Sequence, residues 1–295
     1  MAAEHAAKRS SSDKVNNGTI SLGTDEAITE EEIQGTETPA APRNAFSELM
    51  APKPKTHPKP ASKPPTTTNS FAGRAGLGAY IANPTAFPAS RVIFHTPTSV
   101  AIHDMFPKAT VHTLLLPRSE LHNQLHPFEA FDDPAFLAQV RTEAARLKEL
   151  VAKELQRLLG RYSRTEAKRN AVLDGEAEPG FDAEGNPVLP AGRDWMREIM
   201  VGVHSVPSMN HLHVHVLSRD MHSEKMKHKK HYLSFTSEFF VPLEDFPLAE
   251  DDERRHQRHW PERPMLCFRC GRTFGNKFKE LKAHLEAEFE EWKKE

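Results

Sequence analysis

Three histidines stand at alternate positions in the stretch NHLHVHVLS, with Leu212, Val214 and Val216 between and after them. A strand sends successive side chains to opposite faces. His211, His213 and His215 are therefore expected on one face, and the apolar residues on the other. A neutral imidazole near pH 7 is a nucleophile, a general base and the commonest metal ligand. No obvious Cys, Asp or Glu partner for a metal adjoins the row. Phosphate chemistry fits it better: one imidazole attacks phosphorus while its neighbours hold phosphoryl oxygens. A single histidine of this kind is usually just solvated, but three in register, with His204 upstream, make that reading weak.

A second reactive set lies in CFRCGRTFGNKFKELKAHLEAEFEEWKKE. Cys267 and Cys270 have the C-x₂-C spacing of a zinc knuckle, and His284 follows thirteen residues on. Phe274 and Leu281 fall where a ββα finger has its small core. The second histidine of the usual finger is missing. One helical turn beyond His284 comes Glu288, whose carboxylate is an acceptable zinc ligand. Glu286, Glu290 and Glu291 surround it, so it also reads as part of an acidic face. A redox CxxC would need a βαβ setting, which is absent.

The rest of the chain must hold these residues in place. Of 295 residues, 38% are hydrophobic, and the net charge is −2 with neutral histidine. No global field points to nucleic acid, so any basic surface must be local. Two cysteines are too few for a disulfide framework and favour a reducing compartment or a metal site. The expectation is a soluble intracellular protein, with no membrane span and no secretory signal. Residues 1–72 read as a disordered tail ending in APKPKTHPKPASKPPTTT. Within it, Arg43 to Met50 reads equally as a short docking helix or a chance apolar cluster, and AAKRSSSDK is a weak basic targeting signal.

Residues 73–245 read as one α+β domain. Val111 to Arg118 (VHTLLLPR) is a buried strand stopped by Pro117. Phe136, Val140, Ala144, Leu147, Val151, Leu155 and Leu158 recur at helical spacing between Asp132 and Leu159, with Gly160 beyond. A Gly/Pro/acid-rich insertion, 163–193, reads as a mobile loop. REIMVGVHSV and NHLHVHVLS supply two more strands. Residues 246–295 form a basic linker and the finger.

HLHVHVL matches the signature of the histidine-triad (HIT) superfamily. DMFPKATVHTLLLP, VGVHSVPSMNHLHVHVLSRD and HKKHYLSFTSEFF resemble, more narrowly, the aprataxin family, fungal type, from Gly73 to Glu295 apart from the insertion. Pro207 and Ser218-Arg219 replace the Gln and Gly pair of ordinary HIT nucleotide hydrolases. The resemblance implies a HIT-like antiparallel sheet with helices, a small ββα-like finger, and removal of AMP from 5′-adenylated DNA in strand-break repair. It makes His213 the nucleophile, with His211 and His215 orienting it and holding phosphate oxygens. His204 would protonate or stabilise the leaving phosphate, and His112 would contact the phosphate on the DNA side. Ser208 matches a phosphate-binding hydroxyl. Lys108 matches a family lysine but also reads reasonably as a solvated surface residue and is left out of the site set. Cys267, Cys270, His284 and Glu288 become the ligands of a structural zinc, with no metal needed for the chemistry.

Basic runs KMKHKKH, with Lys229 and Lys230, and RRHQRHWPERP flank the histidine strand and the finger and suit DNA phosphates. The helix around Gly76–Phe87 would abut the DNA end, with Tyr80 or Phe87 stacking on it. The expected partners are adenylated DNA, AMP as product and a repair protein at the tail; the expected state is a nuclear monomer. Two rivals remain: a HIT hydrolase of dinucleotides or RNA caps, and a zinc-finger DNA-binding protein with a vestigial triad.

Overall fold

The structure is a computed structural model and describes residues 73–255 and 260–295. The tail, its possible docking helix and the middle of RRHQRHWPERP lie outside the described residues. The described chain opens with helix α1 (Gly78–Ala82) and a 3-10 turn (Pro84–Ala86). Strands β1 (Val92–His95), β2 (Ser99–His103) and β3 (His112–Pro117) follow as a meander. Pro117 is the last residue of β3, as its missing donor requires.

After a one-turn helix α2 (Pro127–Ala130) comes the long helix α3 (Pro134–Leu159). Its start is set locally: the Asp133 carboxylate accepts hydrogen bonds from the amides of Ala135 (2.9 Å) and Phe136 (3.2 Å), and Pro134 needs no donor there. The expected stripe from Phe136 to Leu155 is buried, joined by Leu137, Ala152 and Leu159. Gly160 does not end the helix in a left-handed cap. Its backbone stays right-handed (φ −55°, ψ −35°) and the helix tightens into a 3-10 turn instead.

The insertion is more ordered than a loop. It holds helix α4 (Ala167–Leu173) and an exposed hairpin of β4 (Gly180–Phe181) and β5 (Pro187–Val188). Its two ends meet at Glu166, a buried carboxylate that accepts from the Trp195 indole (2.7 Å), the Arg193 amide (3.0 Å) and Gln156 (3.2 Å). Satisfying that charge pins the base of the segment.

Strands β6 (Ile199–His204), β7 (Val214–Ser218) and β8 (Phe240–Pro242), with helix α5 (Lys229–Thr236) before β8, complete the domain. The main sheet runs β1-β2-β3-β7-β6-β8 with every neighbouring pair antiparallel. One face packs on α3 through Leu115, Val203, Val214 and Val216. On the other, α1 covers the β1–β2 side, where Leu77, Tyr80 and Ile81 meet Val100, Ile102 and Leu114. Tyr80 is 7% exposed, its ring 4.1 Å from that of half-buried Phe87. Tyr80 is thus a core residue here and does not offer a free face for stacking on a base.

The C-terminal segment is a ββα unit: β9 (Met265–Leu266), β10 (Thr273–Gly275) and helix α6 (Phe278–Trp292). Phe274 and Leu281 are buried as expected, but they do not form a private core. They join Leu217, Met226, Tyr232, Phe239 and Trp260 in one apolar cluster on the histidine side of the sheet. At the other end of α6, Trp292 enters the main core and donates its indole N–H to Glu198 (2.9 Å).

Candidate active site and zinc centre

Register brings the histidines together. His215 lies opposite Leu114 of β3 and Gly202 of β6, and Leu217 lies opposite His112. Directly opposed residues share a face, so His112, His204 and His215 all project away from α3. Gly202 is required there. A Cβ on it would stand 2.5 Å from the Val241 carbonyl and 2.7 Å from the Phe240 ring.

The sequence stretch read as one strand is only half strand. The ladder begins at Val214, and the segment before it bonds elsewhere: Asn210 N–H to the Arg74 carbonyl (2.9 Å) and Leu212 N–H to that of Asn123 (2.8 Å). Alternation survives nonetheless, with Leu212 inside against α3. His211 sits under α1, where the missing Cβ of Gly78 admits it; an added carbon would meet its ring at 2.7 Å.

The hydrogen bonds assign the tautomers. His213 Nδ1 lies 2.8 Å from the His211 carbonyl, which only accepts, so Nδ1 carries hydrogen and Nε2 keeps its lone pair. His112 Nδ1 accepts from the Lys108 amide (3.1 Å), which places the His112 proton on Nε2. That N–H faces His215 Nδ1 at 3.0 Å, so His215 carries its own hydrogen on Nε2, a buried atom with no partner among the described residues. Among the triad histidines, His213 therefore keeps a bare nitrogen at Nε2 and His215 keeps an unused donor at Nε2–H. Both ring nitrogens of His112 are engaged within the protein.

Burial sets the protonation states. It pushes the His213 pKa down, opposed by the bond to His211. It holds His112 down at about 4 and drives His204 and His215 well below the usual histidine value, helped by neighbouring imidazoles and Lys108. His204 lies 4.4 Å from the His215 ring and is flanked by Phe235 and Phe239 at 4.8 and 4.9 Å. Its Nε2 is buried without a partner among the described residues.

Ser208 is buried in the turn ahead of the triad, and Lys230 is half-buried on α5. Lys229 reaches across to Asn276 of the finger. Three residues outside the expected site set line the cluster. Lys108, set aside on sequence grounds, is buried with Nζ on the Phe106 carbonyl (2.6 Å). Asp104 places a carboxylate oxygen 3.4 Å from His112 Nε2. Phe235 packs its ring against three of the histidines. The family lysine of the PKA segment was the only signal for any of them.

Asp104, His112 and His215 are close enough to hold an ion, but their bonding argues otherwise. A metal-bound imidazole donates its remaining N–H outward, and His112 Nδ1 already accepts one. The donor set at the finger fits a metal. Ligand atoms of Cys267, Cys270, His284 and Glu288 lie within 4.8 Å of one another. His284 Nε2 is 3.2 Å from Cys270 Sγ and 3.3 Å from Glu288 Oε1, while Arg269 holds the other Glu288 oxygen at 2.5 Å. Two soft sulfurs, an imidazole and an oriented carboxylate suit tetrahedral zinc.

These findings define the class: a histidine-triad hydrolase carrying a zinc-binding finger. Residues 88–222 match the family described as HIT domain, and residues 236–291 match the C2HE / C2H2 / C2HC zinc-binding finger. The aprataxin-like protein of Saccharomyces cerevisiae is 33% identical over 221 residues, covering 73% of this chain and 95% of that protein. That of Schizosaccharomyces pombe is 32% identical, covering 74% and 82%. A solved structure of Hnt3 in complex with DNA and guanosine superposes with TM-score 0.57 at 29% identity, covering 74% of this chain and 96% of that one. The chain belongs to the aprataxin family.

Proposed function

We propose that the protein removes AMP from 5′-adenylated DNA ends and nicks left by abortive ligation, through an adenylyl-histidine. The bonding of His213 carries this reading: a buried imidazole whose Nδ1–H is spent on the His211 carbonyl has a single lone pair to offer, at Nε2. That nitrogen attacks the AMP phosphorus. The bond to the oxygen of the DNA 5′-phosphate breaks, and the terminus leaves as a phosphate. Water oxygen then attacks phosphorus, the P–N bond breaks with its electron pair returning to Nε2, and free AMP and the neutral imidazole result.

His215 Nε2–H donates to a phosphoryl oxygen, and His112 fixes the tautomer that makes this possible. His204 is a poor base in its aromatic surroundings. It is assigned to protonating or stabilising the departing phosphate. His211 and Ser208 are assigned to further phosphate oxygens, and Lys229 and Lys230 to the DNA backbone. Zinc at Cys267, Cys270, His284 and Glu288 has a structural role, and no metal enters the chemistry. The related Hnt3, solved in complex with DNA, supports DNA as the substrate. A monomer in the nucleus, with a repair protein at the tail, accords with this work.

The test is AMP release from a 5′-adenylated nicked duplex by wild type and His213→Ala. Wild type is expected to release AMP, and His213→Ala to lose at least about 10³-fold in rate and to trap no labelled adenylate. Cleavage of free dinucleotides with adenylated DNA left intact would hand the reading to the small-nucleotide hydrolase.

A further inference from the structure

Helix α5 touches both reactive centres. At its finger side, the Tyr232 hydroxyl donates to the Leu266 carbonyl (2.6 Å) and accepts from the Phe268 amide (3.1 Å). Those two residues bracket the ligand Cys267. One helical turn on, Phe235 lies with its ring centroid 5.3, 4.8 and 5.1 Å from those of His112, His204 and His215. It meets His112 and His215 edge to face, with both interplanar angles at 89°. Tyr232 is wholly buried and Phe235 nearly so. Further ties hold the same helix and its approach to the finger: Lys229 to Asn276, and Lys282 Nζ to the Met226 carbonyl (3.1 Å).

We propose that α5 couples the zinc knuckle to the histidine cluster, with Tyr232 as the positioning residue. The metal fixes the backbone around Cys267, that backbone fixes the Tyr232 hydroxyl, and the helix then sets the ring that backs the histidines. The 3.0 Å contact between His112 and His215 tolerates little rotation of either ring, and an edge-to-face aromatic neighbour restricts that rotation. The finger is thereby part of the catalytic wall. The inference rests on the adenylate-hydrolase reading for its rate prediction, but not for its spectroscopic one.

The deciding variant is Tyr232→Phe, which keeps the ring and removes both hydroxyl bonds. Its histidine imidazole resonances are followed by NMR, zinc content by atomic absorption, and turnover on a 5′-adenylated dinucleotide too short to reach the finger. With one zinc per chain retained, His204 and His215 resonances are expected to shift. On the short substrate kcat should fall about tenfold with KM nearly unchanged, less than the roughly 10²-fold that a 1 Å misplacement can cost. Unmoved resonances with unchanged kcat on the short substrate, even where DNA turnover suffers, overturn the coupling. Should Tyr232→Phe fail to fold, the same resonances are followed while a chelator strips zinc from the wild-type chain: shifts at His204 and His215 support the coupling, and none overturns it. A wild-type chain inactive on both adenylated substrates sinks the adenylate reading alone, since the resonances report on the coupling without turnover.

Discussion

The chemistry of the site comes down to where a few hydrogens sit. In the proposed reaction His213 must be neutral to attack, and burial lowers its pKa. The acid limb of kcat/KM, which reports the free enzyme, is therefore expected below pH 6.5; a limb at or above that value would contradict a buried neutral cluster. The same burial makes stability pH-dependent. His112 titrates at about 4 when folded and near the ordinary ~6.5 when unfolded, so between these values the unfolded chain binds more protons. Its share of stability is complete above about 6.5 and is lost as the pH falls toward 4. The melting temperature should decline from pH 7.5 to pH 5 and recover on return. Alternating histidines made the reactive face legible in the sequence. The tautomers were not, because they depend on the Lys108 amide and the His211 carbonyl, backbone groups that carry no sequence signal.

At the level of elements, the strand ladder does the positioning. The apolar partners Leu212, Val214 and Val216 and the α3 stripe announced which side of the sheet would be covered, and the ladder then follows from burying them. Where the triad strand begins was not legible: the bonds of Asn210 and Leu212 go to Arg74 and Asn123, segments far away in the chain. Gly202 is the clearest element-level constraint. Gly202→Ala forces a methyl against the Val241 carbonyl and the Phe240 ring, and overpacking of this kind costs about 1–3 kcal/mol. A melting temperature lower by roughly 2–12 °C is expected by calorimetry; an unchanged melt would mean that β8 can move aside without loss.

Across the whole molecule, sheet and finger share an apolar cluster, and α6 returns Trp292 to the main core. Cooperative unfolding of both parts together follows. Zinc removal by a chelator is expected to lower a single calorimetric transition rather than release a separate finger transition, since metal binding is linked to folding free energy. Two resolved transitions would show the parts to be independent. The C-x₂-C…H…E spacing pointed to a cluster able to hold a metal, but not to its union with the catalytic domain, because that union is made by Tyr232, Phe239 and Trp260, ordinary aromatics spread along the chain.

That union also bears on how the chain is made. Synthesis proceeds from the N-terminus, and earlier domains generally fold first. Here the sheet and all the triad histidines leave the ribosome before Cys267, and one flank of the sheet, from Leu217 to Phe239, has its apolar covering only when the finger arrives. Until then the nascent protein carries a complete set of reactive side chains beside an uncovered sticky surface. Cells short of zinc would accumulate this half-built form, vulnerable to proteases and aggregation, so metal supply would govern the yield of the protein during its birth.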